Sequence, residues 1–297
     1  MQIIIEHPNR SKLMQEIDSC LKINIDYYYD KAHYYDLNYR ISSWSISDKE
    51  NIAIFYKKNS DTALAILYLQ IPFWSIDYFI RKDLSKEVII DYIIPWITKR
   101  QEVIRSKYYS QMKFFFWYEE NFKPKNLLFE ELLKNNWTFT HLRLDLDVWE
   151  DYEYDISKKF VIRSLRNNEI EKYVDLHQQA FQTKNMNLEW RENILKSPQY
   201  LNEVDLVVEY SSDILVAFCV FWVNNSHKSA SLEPMGVSEK FRGRYLGKAI
   251  IIEGLKRLQK LKIEKVFVTT ETDNQGALAL YNSVGFKEVA KLEGGYL

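Results

Sequence analysis

The sequence predicts an α/β protein built as two diverged copies of one unit in tandem. Three observations carry this. Segments patterned as strands and helices recur in a similar order after about 150 residues. Lys113-Phe-Phe-Phe-Trp-Tyr-Glu-Glu-Asn121 matches Lys265-Val-Phe-Val-Thr-Thr-Glu-Thr-Asp-Asn274 within one residue, and Leu133–Phe139 parallels Leu280–Phe286. The length, 297 residues, is enough for two domains of roughly 150 residues each.

The first copy opens with a strand at Ile3–Ile5 and a helix from about Ser11, its expected cap, to Leu21. Leu13, Ile17 and Leu21 recur there at helical spacing. Asp26–Trp44 gathers Tyr27, Tyr28, Tyr29, Tyr34, Tyr35, Tyr39 and Trp44. We expect this run at the interface between the copies, ahead of a role lining an acceptor cleft. Ile52–Lys57 and Thr62–Ile71 read as strands across the turn Asn59-Ser60-Asp61, and Ile76–Ile80 as another. Lys86–Ile104 is helical, kinked or split at Pro95. A buried strand at Lys113–Tyr118, a helix at Leu127–Leu133 and an alternating strand at Phe139–Val148 complete the copy.

The charged stretch Asp151–Lys159 marks the boundary. The expected domains are therefore 1–150, a linker at 151–159, and 160–297. In the second copy Phe160–Arg163 is a strand, Asn168–Phe181 and Leu188–Leu195 are helices, and Val204–Tyr210 and Ile214–Val223 pair across Ser211-Ser212-Asp213. Ser229–Val237 is a strand, Leu246–Leu261 a helix, Lys265–Glu271 a strand, Asn274–Val284 a helix and Phe286–Val289 a strand.

Composition excludes several classes. The net charge of −1 leaves no electrostatic footprint for nucleic acid or an anionic membrane. Two cysteines, Cys20 and Cys219, make no disulfide framework, and Cys219 lies in the apolar run Ile214–Val223. Met-Gln-Ile-Ile-Ile-Glu has neither the basic leader nor the apolar length of a signal peptide. A soluble cytoplasmic protein is expected. His7, His33, His141, His177 and His227 are scattered without metal-ligand spacing, so no metal is expected.

All eight glycines stand at Gly236 or later. A site built from main-chain amides is therefore easiest to place in Glu233–Gly247 and the helix after it. A helix N-terminus presents unpaired N–H groups to an anion, and Arg242, Arg244 and Lys248 add cationic side chains. Gly243-Arg-Tyr-Leu-Gly247-Lys248-Ala249 is one residue short of a P-loop and has alanine where magnesium would need a hydroxyl. The three-glycine dinucleotide fingerprint is absent as well. The first copy runs from Ile80-Arg-Lys-Asp-Leu straight into Ser85-Lys-Glu-Val, without glycine.

On these residues the C-terminal half resembles the GNAT N-acetyltransferase superfamily. The family signature, Arg/Gln-x-x-Gly-x-Gly/Ala, falls on Arg242-Gly243-Arg244-Tyr245-Leu246-Gly247. The second hallmark, Asn, a short helix with Tyr, then Gly-Phe, falls on Asn274 through Tyr281 to Gly285-Phe286. The resemblance covers about Phe160–Leu297 and extends weakly over residues 1–150. It implies two tandem GNAT-like domains of α/β (α+β) class, each a mixed, mostly antiparallel twisted sheet flanked by helices. The N-terminal copy would be degenerate. One departure is Tyr245, where the family has its first glycine, and its side chain narrows the approach to the turn.

The resemblance implies acetyl-CoA as co-substrate. Its pyrophosphate would lie on the amides of Arg242, Gly243, Arg244, Tyr245, Leu246 and Gly247, beside Lys248. The pantetheine arm would follow Met235, Gly236 and Val237, with Asn274 in contact and an N–H near Met235 as oxyanion donor. Tyr281 matches the general acid, and its counterpart in copy one is Lys134. Glu233 is the candidate base, beside Pro234, which interrupts the ladder. Glu189, Trp190 and Asn193 fall where the family shapes its acceptor site.

The function expected is acetyl transfer to the primary amine of a small molecule or peptide, by a monomer or homodimer with no nucleic-acid or membrane partner. The alternatives are a non-catalytic CoA-binding module and, behind it, a tRNA-dependent aminoacyl transferase.

Overall fold

Alternating apolar segments and the punctuation between them decide where strands form. The computed structural model describes residues 2–24, 28–29, 37–108, 110–119, 137–150, 152–197, 199–211 and 213–296. The helix expected at Leu127–Leu133, Lys134, and Tyr27, Tyr34 and Tyr35 lie outside the described residues. The chain divides into two compact units. Unit 1 is Met1–Tyr34, Ser43–Thr138 and Leu292–Leu297, and unit 2 is Tyr35–Ser42 and Phe139–Lys291.

In chain order the elements are β1 (Ile3–Glu6), α1 (Arg10–Asn24), β2 (Tyr28–Tyr29), α2 (Leu37–Ile41), β3 (Ile52–Lys57), β4 (Ala63–Gln70) and β5 (Ser75–Arg81). Next come α3 (Lys86–Val88), α4 (Ile94–Lys107), β6 (Phe115–Glu119), β7 (Trp137–Asp145), β8 (Phe160–Ser164), α5 (Ile170–Phe181) and α6 (Leu188–Leu195). The last are β9 (Asp205–Tyr210), β10 (Ile214–Asn224), β11 (Ser229–Val237), α7 (Leu246–Lys260), β12 (Lys265–Glu271), α8 (Gln275–Ser283) and β13 (Lys287–Tyr296).

In unit 1, β1 pairs antiparallel with β3, β3 with β4, and β4 with β5. β5 then runs parallel to β6 through Ser75↔Phe115 and Ile76↔Phe116. The last residues of the chain, Leu292–Tyr296, pair antiparallel with β6. Side chains such as Phe55, Leu67, Ile80, Ile93, Ile97 and Phe116 make its core. One local detail differs from expectation. Asn9, not Ser11, caps α1, because its Oδ1 accepts from Lys12 N at 2.9 Å. The long helix is split just before Pro95, as expected. The missing N–H of Pro95 is absorbed by a π-helical stretch at Ile89–Ile93, after which α4 runs on.

In unit 2 the antiparallel run β8–β9–β10–β11 is followed by a parallel step to β12, and β12 pairs antiparallel with β7. The core under α7 joins Leu142, Leu144, Val208, Cys219, Leu232, Ile250, Leu255, Val266 and Phe286. Within the stretch expected as a linker, Tyr154 and Ile156 pack on this core, and the Tyr154 hydroxyl donates to Glu253 at 3.2 Å. Unit 2 thus takes β7 and residues 37–42 from the first half of the sequence, while unit 1 takes the final strand segment. No helix among the described residues is long and apolar enough to cross a membrane.

Candidate active site

The site begins where two parallel strands part. β11 and β12 pair only at Ser229–Ser231 and Lys265–Phe267, although β11 continues to Val237 and β12 to Glu271. A cleft of about 910 Å³ in unit 2 is lined by both strands past that point, by the turn before α7 and by α8. On its other side β11 loses register with β10. Cys219 faces Met235 but Phe221 faces Leu232, so Glu233 and Pro234 share a bulge opposite Val220. Proline has no N–H to give the ladder and is at home there. Trp222 Nε1 donates to the Glu233 carbonyl at 2.7 Å and holds the bulge.

The glycines fit a cleft of narrow clearance. A Cβ on Gly236 would stand 2.6 Å from the Phe218 ring, and one on Gly247 would stand 2.9 Å from the Met235 methyl. The turn before α7 uses two left-handed residues, Gly243 at φ 74° and Tyr245 at φ 61°. Tyr245 makes no side-chain cap, and Ala249 N is the first amide to reach back to it, bonding Tyr245 O at 3.0 Å. The amides of Leu246, Gly247 and Lys248 precede any intrahelical acceptor.

Of the residues expected at the site, Glu233, Met235, Gly236, Val237, Arg242, Gly243, Tyr245, Leu246, Gly247, Lys248, Asn274 and Tyr281 all line the cleft. Arg244 does not line it; its guanidinium stands 5.6 Å from the Phe241 ring. Arg242 ties the turn to the end of α5, donating to Ala180 O at 2.9 Å. Lys248 lies 5.7 Å from the Tyr152 ring. Asn274 caps α8, its Oδ1 accepting from Ala277 N at 3.1 Å. Tyr245 is 77% exposed.

Tyr281 is buried with its ring 5.8 Å from Phe286. Burial pushes its hydroxyl well above the ordinary value, and the Glu233 charge pushes it further. The tyrosine is therefore protonated throughout the neutral range. Glu233 is half-buried. Its charge also raises Tyr39 and Tyr173, after the larger effect of burial.

Sequence reasoning passed over several residues of this region. Phe181, Thr269, Thr270 and Leu280 line the cleft, and the strand and helix patterns gave no sign that they would. Thr269 Oγ1 is 2.8 Å from His141 Nδ1, a residue of β7. Burial lowers His141 to about 4. Trp190 is buried behind the cleft, not on its surface, and donates to Tyr39 O at 3.0 Å. Glu189 and Asn193 are not among the lining residues. Arg191 and Asp205 form a fully buried ion pair beneath Tyr173.

Unit 1 has a matching parallel step, at β5 and β6, but not the same surroundings. β4 and β5 keep register from Ala65↔Ile80 to Gln70↔Ser75 without a bulge. No residue from Ser75 to Ile93 has a positive φ. Tyr78 stacks on Phe116 with centroids 4.3 Å apart, and its hydroxyl donates to Trp117 O at 2.6 Å, bridging β5 to β6.

Comparison with known proteins follows the same division. Residues 162–286 match the profile of the acetyltransferase (GNAT) family. A mycothiol acetyltransferase of Corynebacterium efficiens is 30% identical over 101 residues, which is 33% of this chain and 33% of that protein. Another, from Pseudarthrobacter chlorophenolicus, is 40% identical over 52 residues, 18% of this chain and 16% of that one. The chain is thus matched over about a third or less of these relatives' length. Among solved structures, a GCN5-related N-acetyltransferase from Sphaerobacter thermophilus superposes with a TM-score of 0.64 at 13% identity, over 99% of this chain and 95% of that one. A tandem GNAT protein from the clavulanic acid biosynthesis pathway gives 0.63 at 10% identity, over 99% and 98%. These are likenesses of fold.

Proposed function

We propose that this chain, whose residues 162–286 match the profile of the acetyltransferase (GNAT) family and whose fold is similar to that of a tandem GNAT protein, is an acetyl-CoA-dependent N-acetyltransferase with one active cleft, in unit 2. The observation that carries the reading is a single cleft holding a carboxylate, a buried tyrosine hydroxyl and a left-handed turn at a helix N-terminus. Acetyl-CoA, when bound, supplies the acetyl group as an activated thioester. The chain's own residues then have separable tasks.

The amides of Leu246, Gly247 and Lys248 and the Lys248 ammonium bind the pyrophosphate. Gly236 and Gly247 let Phe218 and the Met235 methyl pack against the backbone of the cleft, and the pantetheine arm would follow that backbone along Met235, Gly236 and Val237. Glu233 takes a proton from the acceptor ammonium, directly or through water, freeing the amine to attack. Tyr281 keeps its proton at neutral pH and hands it to the departing thiolate. The acceptor is the primary amine of a small molecule or peptide, reached by direct transfer in the cytoplasm. The bridged β5–β6 step supports a non-catalytic unit 1.

Calorimetric titration with acetyl-CoA tests the reading, with one site per chain expected. Thiol release is then followed across polyamines, amino acids, aminoglycosides and peptides. Absence of binding ends the proposal. Binding without release from any acceptor, and indifference to Tyr281→Phe, would point instead to a CoA-binding module.

A further inference from the structure

Residues 242–248 carry four charged or aromatic side chains, and three of them are committed within unit 2. Arg242 donates to Ala180 O at 2.9 Å and to Val237 O at 3.3 Å. The Arg244 guanidinium stands 5.6 Å from the Phe241 ring, and the Lys248 ammonium 5.7 Å from the Tyr152 ring. Tyr245 is the exception. Among the described residues, no hydrogen bond, ion pair or ring contact engages its side chain, and it makes no side-chain cap. It lines the cleft yet is mostly exposed, which places it at the cleft's mouth.

Its backbone makes that placement costly. At φ 61° a β-carbon is crowded, and glycine, the residue of the family signature here, would escape the strain. Strain that contacts inside the protein do not offset points to a ligand that supplies them. The other rings lining the cleft are packed on protein. Phe181 lies 4.7 Å from His177 and Phe241 5.2 Å from Tyr210, while Tyr281 is buried beside Phe286. Tyr245 is the ring left to meet a ligand.

We propose that the Tyr245 ring is a stacking platform for the adenine of acetyl-CoA, and so selects the nucleotide end of the co-substrate. The proposal rests on the reading of this cleft as the acetyl-CoA site. With the pyrophosphate on the amides of Leu246, Gly247 and Lys248, the pantetheine arm runs inward to Glu233 and Tyr281. The adenosine then runs outward to the mouth, where Tyr245 stands. A purine brings a flat π-face that an exposed aromatic ring covers without reading its edge.

The test needs no acceptor. Calorimetry on the full chain compares acetyl-CoA with acetyl-phosphopantetheine, which keeps the thioester arm and a phosphate but has no adenosine. Tyr245→Phe keeps the ring; Tyr245→Leu keeps a β-carbon at the strained position and removes the ring. Tyr245→Leu is expected to bind acetyl-CoA about 5- to 10-fold more weakly than the unaltered chain, and acetyl-phosphopantetheine equally well. Tyr245→Phe should match the unaltered chain with both. By NMR, the adenine ring protons of bound acetyl-CoA should shift upfield with the unaltered chain and lose that shift with Tyr245→Leu. Equal or tighter binding of acetyl-CoA by Tyr245→Leu overturns the proposal, since the ring would then be a bystander or an obstacle. An equal loss for both ligands overturns it too, because the substitution would have disturbed the turn and not a contact with the base. So does an equal loss in Tyr245→Phe, which would assign the effect to the hydroxyl. Failure of the unaltered chain to bind acetyl-CoA is a separate result: it ends the co-substrate reading as well, which the other outcomes leave standing.

Discussion

Tyr245 occupies a backbone position, φ 61° and ψ 9°, that a side chain makes costly by about 1 kcal/mol or somewhat more. Its ring lines the cleft and is mostly exposed, so little packing offsets that strain. Tyr245→Gly should therefore stabilise the chain by roughly 0.5–1 kcal/mol in urea unfolding, part of the gain being lost to the flexible unfolded state. An unchanged or lower midpoint would mean that the ring contributes contacts worth as much as the strain. Tyr281 makes a different demand. If it gives a proton to the thiolate, Tyr281→Phe should cut kcat by about 10²- to 10⁴-fold while leaving the calorimetric affinity for acetyl-CoA in place. Its hydroxyl is raised above the ordinary tyrosine value, burial acting first and Glu233 second. Loss of its proton therefore contributes no alkaline decline in rate below about pH 10.

At the scale of elements, β7 shows what pattern reading reaches and what it misses. The alternation in Phe139–Val148 announces a strand, and Leu142 and Leu144 do enter the core beside Val266. Nothing in that alternation says which strand it will pair with, because pairing is a long-range choice that period-two patterns leave open. One of its neighbours is β12, and this brings His141 against Thr269 at the cleft. The turn and α8 were legible for the opposite reason. Left-handed backbone, close approach and capping demand particular residue types locally, and Gly243, Gly247 and Asn274 announce them. Thr269 and Phe181 carry no such local demand.

The burial of His141 has a measurable consequence. An unfolded histidine titrates near 6.5, whereas burial holds this one to about 4. Between those values the unfolded chain binds a proton that the folded chain refuses. Its contribution to stability is thus full above about pH 6.5 and is lost progressively as pH falls toward 4, by up to about 3 kcal/mol. His177, lowered to about 3 by burial and then Arg191, behaves alike over a longer range. Urea unfolding at pH 7.5, 6 and 5 should show this decline, and His141→Gln should make it shallower. Equal slopes in the two proteins would mean that His141 is solvated in the folded state.

For the whole molecule, the repeat in sequence and the compact units do not share boundaries. The order of elements restarts after residue 159, yet unit 2 contains β7 and residues 37–42, and unit 1 contains Leu292–Leu297. β7 meets the full length of β12, from Lys265↔Asp145 to Glu271↔Phe139. It also brings Leu142, Leu144 and Leu146 to the core. A fragment cut at the sequence boundary, residues 160–297, would leave β12 as an open edge and strip those three leucines, each worth on the order of 2 kcal/mol when buried. A fragment of residues 137–297 restores both. The shorter fragment should therefore unfold without a cooperative transition, or melt at least several degrees lower, when the two are followed by circular dichroism. If 160–297 melted as sharply and as high as 137–297, the strand taken from the first half would be dispensable, and the candidate cleft would belong to the second copy alone.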